Sequence, residues 1–415
     1  SLWAQPNMEP LPEQPDLLMV EIEKIMTFQN QSDCIELMDR LKKHVKERRV
    51  QPEHYAGLVK LGNEMTKRKM KRYNFFKQVI QVLLVFIEDT AYSSKYFDQY
   101  INISMKVLAD QPEGKTQEFE EYLKFCTYFW VNKNLYQAGS TGGHAWQAVS
   151  QDFSMKYENK DLSIRYADTR LVCYNKQDSL IIDNARGTYF PLRDTWEGER
   201  GRVNWNQEGA MQAYCDIKNY TINARNADYR ADDATLHHTA LFKLPIIGRI
   251  TDRCLKRKPS GMSFPRFESK NRDVKIDDIG EGVTYLGGFT LEGATVRGAG
   301  ANGVKSTVYI NDRKNKRVVR AVATNFDITK GERFVSDDAE VSVYFYPEEG
   351  RVDSIYHPNI RITYYIKDRL LELSRGSSIA SKVPFFNSYQ RMEINTPIIK
   401  WKIDEEEIKL GDDSQ

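Results

Sequence analysis

The chain has 415 residues, which at roughly 100–200 residues per domain points to two or three domains. Lys plus Arg at 60 nearly balances Asp plus Glu at 58, and the resulting +2 excludes a surface that is basic throughout, as a polyanion binder needs. Hydrophobic content of 40% excludes wholesale disorder, and an aromatic share of 12% favours β-structure.

Ser1-Leu2-Trp3-Ala4-Gln5 reads as the end of a secretory signal, with a small residue ahead of a glutamine that starts the mature chain. Residues 1–15 are therefore expected to be a signal remnant or flexible start. Helical periodicity follows over residues 16–136. Its blocks are Asp16 to Phe28, a helix capped by Ser32-Asp33 with Ile35, Met38, Leu41 and Val45 on one face, Glu53 to Met65, Tyr73 to Ile87, Ser94 to Leu108 and Thr116 to Leu135. Short breaks at Pro52, Asp89-Thr90 and Gln111 to Gly114 predict an antiparallel helical domain. Val79 to Ile87 reads as a buried helix, since a membrane span needs about 18 apolar residues. The run Lys67 to Arg72 reads first as a solvated helix start, and alternatively as a patch for phosphates or an anionic surface.

The five cysteines, Cys34, Cys126, Cys173, Cys215 and Cys254, are odd in number and widely spaced, with no C-x-x-C. Neither a zinc ribbon nor a disulfide scaffold fits them. Cys34 and Cys126 fall in helical apolar patterns and read as packed thiols.

The stretch Gly139 to Gly143 is expected to be the domain seam, because short strand-like runs replace helical ones after it. Leu162 to Tyr166, Arg170 to Tyr174, Ala213 to Asn219 and Thr235 to Leu244 are among them. Asp232-Asp233-Ala234-Thr235-Leu236 recurs as Asp337-Asp338-Ala339-Glu340-Val341, and more loosely as Ala167-Asp168-Thr169-Arg170-Leu171. Each reads as an acidic turn leading into a strand. The expected fold class is α+β in separate domains: a helical domain, then an all-β domain over 144–403 built as an irregular β-solenoid, with a β-sandwich as the alternative. Residues 404–415 form a charged tail.

Gly298 to Gly303 satisfies G-x-G-x-x-G, but a β-rich run follows where a dinucleotide site needs a helix N-terminus, so no nucleotide is expected. His237 and His238 should face opposite sides of a strand and cannot share a metal. No metal site is expected from the histidines. The acidic pairs Asp232-Asp233, Asp277-Asp278 and Asp337-Asp338 read first as turn residues. Two other uses stay open for them: calcium at coil corners, and a pair of carboxylates acting on glycosidic bonds. No G-x-S-x-G or Cys–His arrangement supports nucleophilic hydrolysis. Between Leu180 and Trp205, the aromatic residues read first as packed inside a bulged β-coil, with burial expected of at least one of Trp196 and Trp205. The alternative is an aromatic platform for a sugar built from Trp196, Arg200, Arg202 and Trp205, with the arginines stacking on the indoles or pairing with Glu197 and Glu199.

The motif Thr195-Trp196-Glu197-Gly198-Glu199-Arg200-Gly201-Arg202-Val203-Asn204-Trp205, with Tyr229 to Asp232, Val283 to Phe289 and Phe385 to Tyr389, resembles motifs of large uncharacterised exported envelope proteins of Bacteroidota. The likeness lies in scattered motifs from Asp161 to Trp401. It implies export to the periplasm, outer membrane or cell surface, helices followed by a long β-region, and chain continuing past Gln415; it carries over no catalytic residue. The leading expectation is a non-enzymatic structural or interaction module whose partners are other envelope proteins or a glycan. The alternative is a carbohydrate-active enzyme or glycan-binding module using the Asp pairs and the Trp platform, and a weaker one is a cytosolic helical scaffold. No nucleic acid is expected as a partner.

Overall fold

The computed structural model describes residues 9–89, 91–92, 94–112, 114–205, 213–257, 263–299 and 303–411. Ser1 to Gln5, expected to be the end of a secretory signal, and the centre of the glycine string, residues 300–302, lie outside the described residues, as do the side chains of Asp277 and Asp278.

A helical N-terminal part precedes a large antiparallel β-region. The helices are α1 (Pro15–Thr27), α2 (Ser32–Lys46), α3 (Pro52–Lys67), α4 (Phe76–Glu88), α5 (Ser94–Asp110) and α6 (Gln117–Cys126). Proline at the first position starts α1 and α3, where its missing N–H costs nothing. On α2 the buried stripe is Cys34, Leu37, Met38, Leu41 and His44, so Met38 and Leu41 lie on it as expected, while Ile35 is exposed and Val45 half-buried. α4, apolar at nine of its thirteen positions, buries eight of them and is the centre of the helical layer. α6 does not continue to Leu135; a π-helical turn, Thr127–Val131, ends it. In the basic run, Arg72 is buried, donating to Thr66 Oγ1 at 2.6 Å and to the Glu9 carbonyl, while Arg68 bonds Glu64 at 2.8 Å. Two of its cations are thus committed to internal partners.

The chain forms two compact units, one of residues 1–199 with 221–227, the other of 200–220 with 228–415. The first holds the helices together with β1 (Tyr136–Gln137), β2 (Ala145–Ala148), β3 (Ser154–Glu158), β4 (Asp161–Tyr174) and β5 (Ser179–Phe190). Gly139 to Gly143, expected as a domain seam, is the loop of the β1–β2 hairpin inside this unit. The chain divides instead along β6 (Thr195–Asn204) and β7 (Ala213–Asn223).

The second unit continues with β8 (Asp228–His238), β9 (Ile246–Arg253), β10 (Arg266–Ser269), β11 (Val274–Gly280), β12 (Val283–Gly287), β13 (Thr290–Glu292) and β14 (Thr295–Ala299). Then come β15 (Ser306–Asn311), β16 (Arg317–Ala323), β17 (Asn325–Thr329), β18 (Arg333–Phe345) and β19 (Asp353–Tyr365). The last are β20 (Leu370–Ser374), β21 (Phe385–Asn387), β22 (Met392–Ile394), β23 (Ile398–Lys402) and β24 (Lys409–Leu410). One antiparallel path runs β7-β8-β9-β10-β13-β14-β17-β18-β19-β20-β23-β24. A second runs β11-β12-β15-β16-β18-β19-β21-β22, so both pass through the β18–β19 hairpin. Residues 409–410 of the expected tail are therefore a strand.

The recurring acidic pairs are not turns. Leu162 to Tyr166 and Arg170 to Tyr174 are two halves of β4, and the other two pairs lie in the middle of β8 and β18. Each is a bulge in which two residues face one. Asp232 and Asp233 stand opposite Arg249, Asp337 and Asp338 opposite Arg361, and Ala167 and Asp168 opposite Arg186. The next residue, Ala234, Ala339 or Thr169, is buried. Side chains alternate faces at every step, so the extra residue changes which positions face inward, Tyr229 and Ala231 before the bulge of β8 and Ala234 and Leu236 after it. These shifts coincide with a change of neighbour. β4 pairs with β3 before its bulge and β2 after it, and β18 likewise passes from β17 to β16.

Candidate functional site

The same device decides the fate of the two tryptophans. They lie nine positions apart, an odd spacing that would put them on opposite faces of a regular strand. Along β6, however, Glu199 and Arg200 are both exposed in mid-strand, and the phase slips by one. Trp196 and Trp205 are consequently both buried, at 1% and 3% exposure. They stand at the start and just past the end of one strand, not on adjacent legs of a turn, and neither offers a face to solvent. Burial, expected of at least one of them, holds for both, and the alternative platform is not formed. Trp196 packs beside Tyr166, ring centroids 6.1 Å apart, and against the backbone at Gly187, where an added Cβ would lie 2.7 Å from its ring. The indole nitrogens of both tryptophans are buried without a hydrogen-bond partner.

The arginines also have other uses than those expected. Arg165 binds Glu199 through two bonds of 2.5 and 3.0 Å, and Arg193 lies 3.7 Å from Glu197. Arg202 forms a two-point bond with Asp216 at 2.7 and 3.1 Å, its guanidinium 4.1 Å above the Tyr214 ring. The backbone carbonyl of Arg200 accepts from the Tyr220 hydroxyl at 3.1 Å, and its side chain is exposed. On the other side of Tyr214, His237 stacks at 4.5 Å and 14°, with Nε2 3.7 Å from Asp216 Oδ2. The strand register explains this cluster, since Tyr214 pairs directly with His237 across β7 and β8. As the sequence implied, His237 and His238 part company: His238 points inward, 5% exposed, with neither ring nitrogen partnered. Arginine, tyrosine and histidine thus form a half-exposed stack tied by one carboxylate. Sequence reasoning found Arg202 and missed Tyr214, Asp216 and His237, because the register that unites them was not readable.

The acidic pairs are equally committed. Asp232 accepts two bonds from Arg230, 2.8 and 3.2 Å, and lies 3.1 Å from Arg249. Hydrogen bonding by Arg230 is the main cause holding its carboxyl below the usual range. A carboxylic acid meant to donate a proton near neutrality needs the opposite shift. Asp337 is highly exposed and 3.6 Å from Arg361. Asp233 pairs with Lys218 across the strands, and Asp338 is exposed. Among the described residues, no group of three or more His, Cys, Asp or Glu side chains converges as a metal site would require, which gives the calcium expectation no support there.

The clearest concave features lie in the first unit. A cavity of about 130 Å³ is lined by Tyr92, Phe129, Leu135, Phe153 and Tyr166, with Lys133 at its edge. Lys133 Nζ sits 3.8 Å over the Tyr92 ring and 3.0 Å from Asp89, whose carboxyl is held down by the Ala91 N–H first and by Lys133. The π-turn presents Phe129 and Trp130 to this cluster. A second, open groove of about 640 Å³ runs between α5 and β3. No helix among the described residues is long and apolar enough to cross a membrane. No family model, curated protein or solved structure matches the chain.

Proposed function

We propose that the chain is a non-enzymatic interaction module of an exported envelope protein, of the kind its sequence motifs resemble. The observation that carries the reading is the pairing of bulge carboxylates with arginines. Asp232 and Asp337, the groups a glycosidic-bond enzyme would use, are exposed and matched to Arg230, Arg249 and Arg361. Such a surface suits recognition, where charge patterns select partners, better than proton transfer. We read the β-region as the sandwich alternative, two sheets sharing bulged strands, because the pairings within it are antiparallel and the bulges mark where β4 and β18 change neighbours. The partners are other envelope proteins.

The test expresses the whole reading frame, with its own N-terminus and a C-terminal epitope, in a Bacteroidota host, followed by cell fractionation. Recovery from the periplasmic or outer-membrane fraction is expected, and recovery from the cytosol alone overturns the compartment. On a panel of chromogenic glycosides the purified chain should be inert. Turnover lost in Asp232→Asn or Asp337→Asn would overturn the non-enzymatic reading.

A further inference from the structure

We propose that the aromatic cavity beside the π-turn binds one uncharged phenolic ring, held through its hydroxyl by Tyr166. Phe129 reaches the cavity from the π-turn, Tyr92 from ahead of α5, Phe153 from ahead of β3 and Tyr166 from β4. π-helical turns recur at functional sites, and this one supplies a wall. The volume of about 130 Å³ is close to the ~150 Å³ of an engineered apolar cavity that takes benzene, so a single benzene-sized ring fills it. Phe129 and Phe153 stand edge to face, centroids 5.0 Å apart at 79°, and Tyr166 lies 5.8 Å from Phe153 at 50°. A flat ring seated in that corner stacks on one wall and meets another with its edge.

Within these walls one polar group lacks a partner. Tyr166 is 1% exposed, and its hydroxyl makes no hydrogen bond among the described residues. Unlike the sealed hydroxyl of Tyr189, it keeps access to open space, and Tyr166 lines the cavity. Burial pushes its pKa well up, with the Tyr92 and Tyr96 hydroxyls adding to the rise, so it stays protonated and can both donate and accept. A plain hydrocarbon ring would leave this hydroxyl unsatisfied, whereas a phenol answers it. At the mouth, the half-buried Gln147 amide also makes no hydrogen bond among the described residues. Charge selects a neutral ligand. The charged groups acting on Tyr92 are Lys133 and Asp89, which pair with each other at 3.0 Å, and those acting on Tyr166 are neutral tyrosines. A carboxylate on the ring would lose its water and meet no uncommitted cation. A free phenol and the tyrosine side chain of a partner protein carry the same ring. This site goes beyond the interaction reading and does not rest on it.

The test titrates the full chain with p-cresol, toluene, benzoate and N-acetyltyrosinamide by isothermal calorimetry. p-Cresol should saturate, and toluene, the same ring without the hydroxyl, should bind about fivefold more weakly. Benzoate should not bind. Tyr166→Phe should remove the preference for p-cresol over toluene, and Ala148→Leu, which adds bulk to the lining, should abolish the binding of both. Circular dichroism checks the fold of each variant, and Tyr166→Phe decides alone if Ala148→Leu does not fold. Tighter binding of N-acetyltyrosinamide than of p-cresol assigns the ring to a partner's tyrosine, and any other order assigns it to a free phenol. No saturation by p-cresol up to about 10 mM, as from a cavity that holds water alone, overturns the proposal. So does a preference for p-cresol that survives Tyr166→Phe, the absence of any preference in the parent chain, or saturable binding of benzoate.

Discussion

Arg369 reaches both carboxylate oxygens of Asp404, at 2.6 and 3.3 Å, from a buried position in the β19–β20 turn. The same guanidinium donates to the Glu281 carbonyl at 2.9 Å and the Asn311 carbonyl at 3.2 Å. One side chain therefore ties three turns, after β11, after β15 and after β23, to a fourth. Removing it takes a donor from two carbonyls and leaves the Asp404 carboxylate to Arg313 alone. Arg369→Ala is expected to cost about 3–5 kcal/mol in urea unfolding, and Asp404→Asn clearly less, since the carbonyl bonds survive. Equal, negligible losses would refute the tie.

Trp196 fills space between Tyr166 and the Gly187 backbone, so Trp196→Ala should cost about 3–5 kcal/mol through the cavity it leaves. A glycan array should give the same signal before and after. A stable variant that loses a glycan signal would restore the platform that the burial removes.

The bulges separate charge from spacing. Asp232→Ala removes only exposed pairing, and unfolding should shift by less than about 0.5 kcal/mol. Deleting Asp233 leaves Asp232 alone opposite Arg249, while Ala231 and Ala234 keep their partners Ile250 and Gly248 and their buried face. That variant should fold with its near-ultraviolet circular dichroism retained and a lowered thermal midpoint, since only the local twist of the bulge is lost. A deletion that fails to fold would show that the extra residue itself is required.

Acid should loosen the chain before its carboxylates titrate. Burial is the leading cause lowering the pKa of His54, His238 and His357 below 6.5. The unfolded chain therefore takes up these protons first, so their contribution is intact above about pH 6.5 and is lost as pH falls toward the folded values. Urea midpoints should drop between pH 7.5 and 5.5. His238→Leu, which removes an imidazole with no partner on either nitrogen, should shrink that drop.

All five cysteines are buried without a disulfide, and burial pushes the Cys126 thiol up to about 12. A thiol reagent should label none of them quickly in the native chain and all five in denaturant. Rapid labelling of any one would locate an opening that the fold does not show.

What the sequence disclosed depended on range. The helical blocks and the change to strands are local signals, and Val79 to Ile87 lies in a buried helix as its apolar run implied. The echo of Asp232-Asp233-Ala234 in Asp337-Asp338-Ala339 was visible too, but its meaning was not. Aspartate is as good a turn residue as a bulge residue, and only the pairing with Arg249 and Arg361 separates the two. For the same reason Arg202 was legible and its partners Tyr214, Asp216 and His237 were not. They come from three strands whose register is fixed by distant contacts.

β18 holds two outer ladders in series, β17 along residues 333–335 and β16 along residues 340–343, with β19 against it throughout. A pull along its length loads both ladders in shear, and rupture of one leaves the strand still anchored by the other. Peeling from an end, by contrast, opens bonds singly and meets a stop at Asp337-Asp338. The hairpin should therefore resist traction far better than its individual short neighbours, which gives this part of the chain the character of a mechanical clamp.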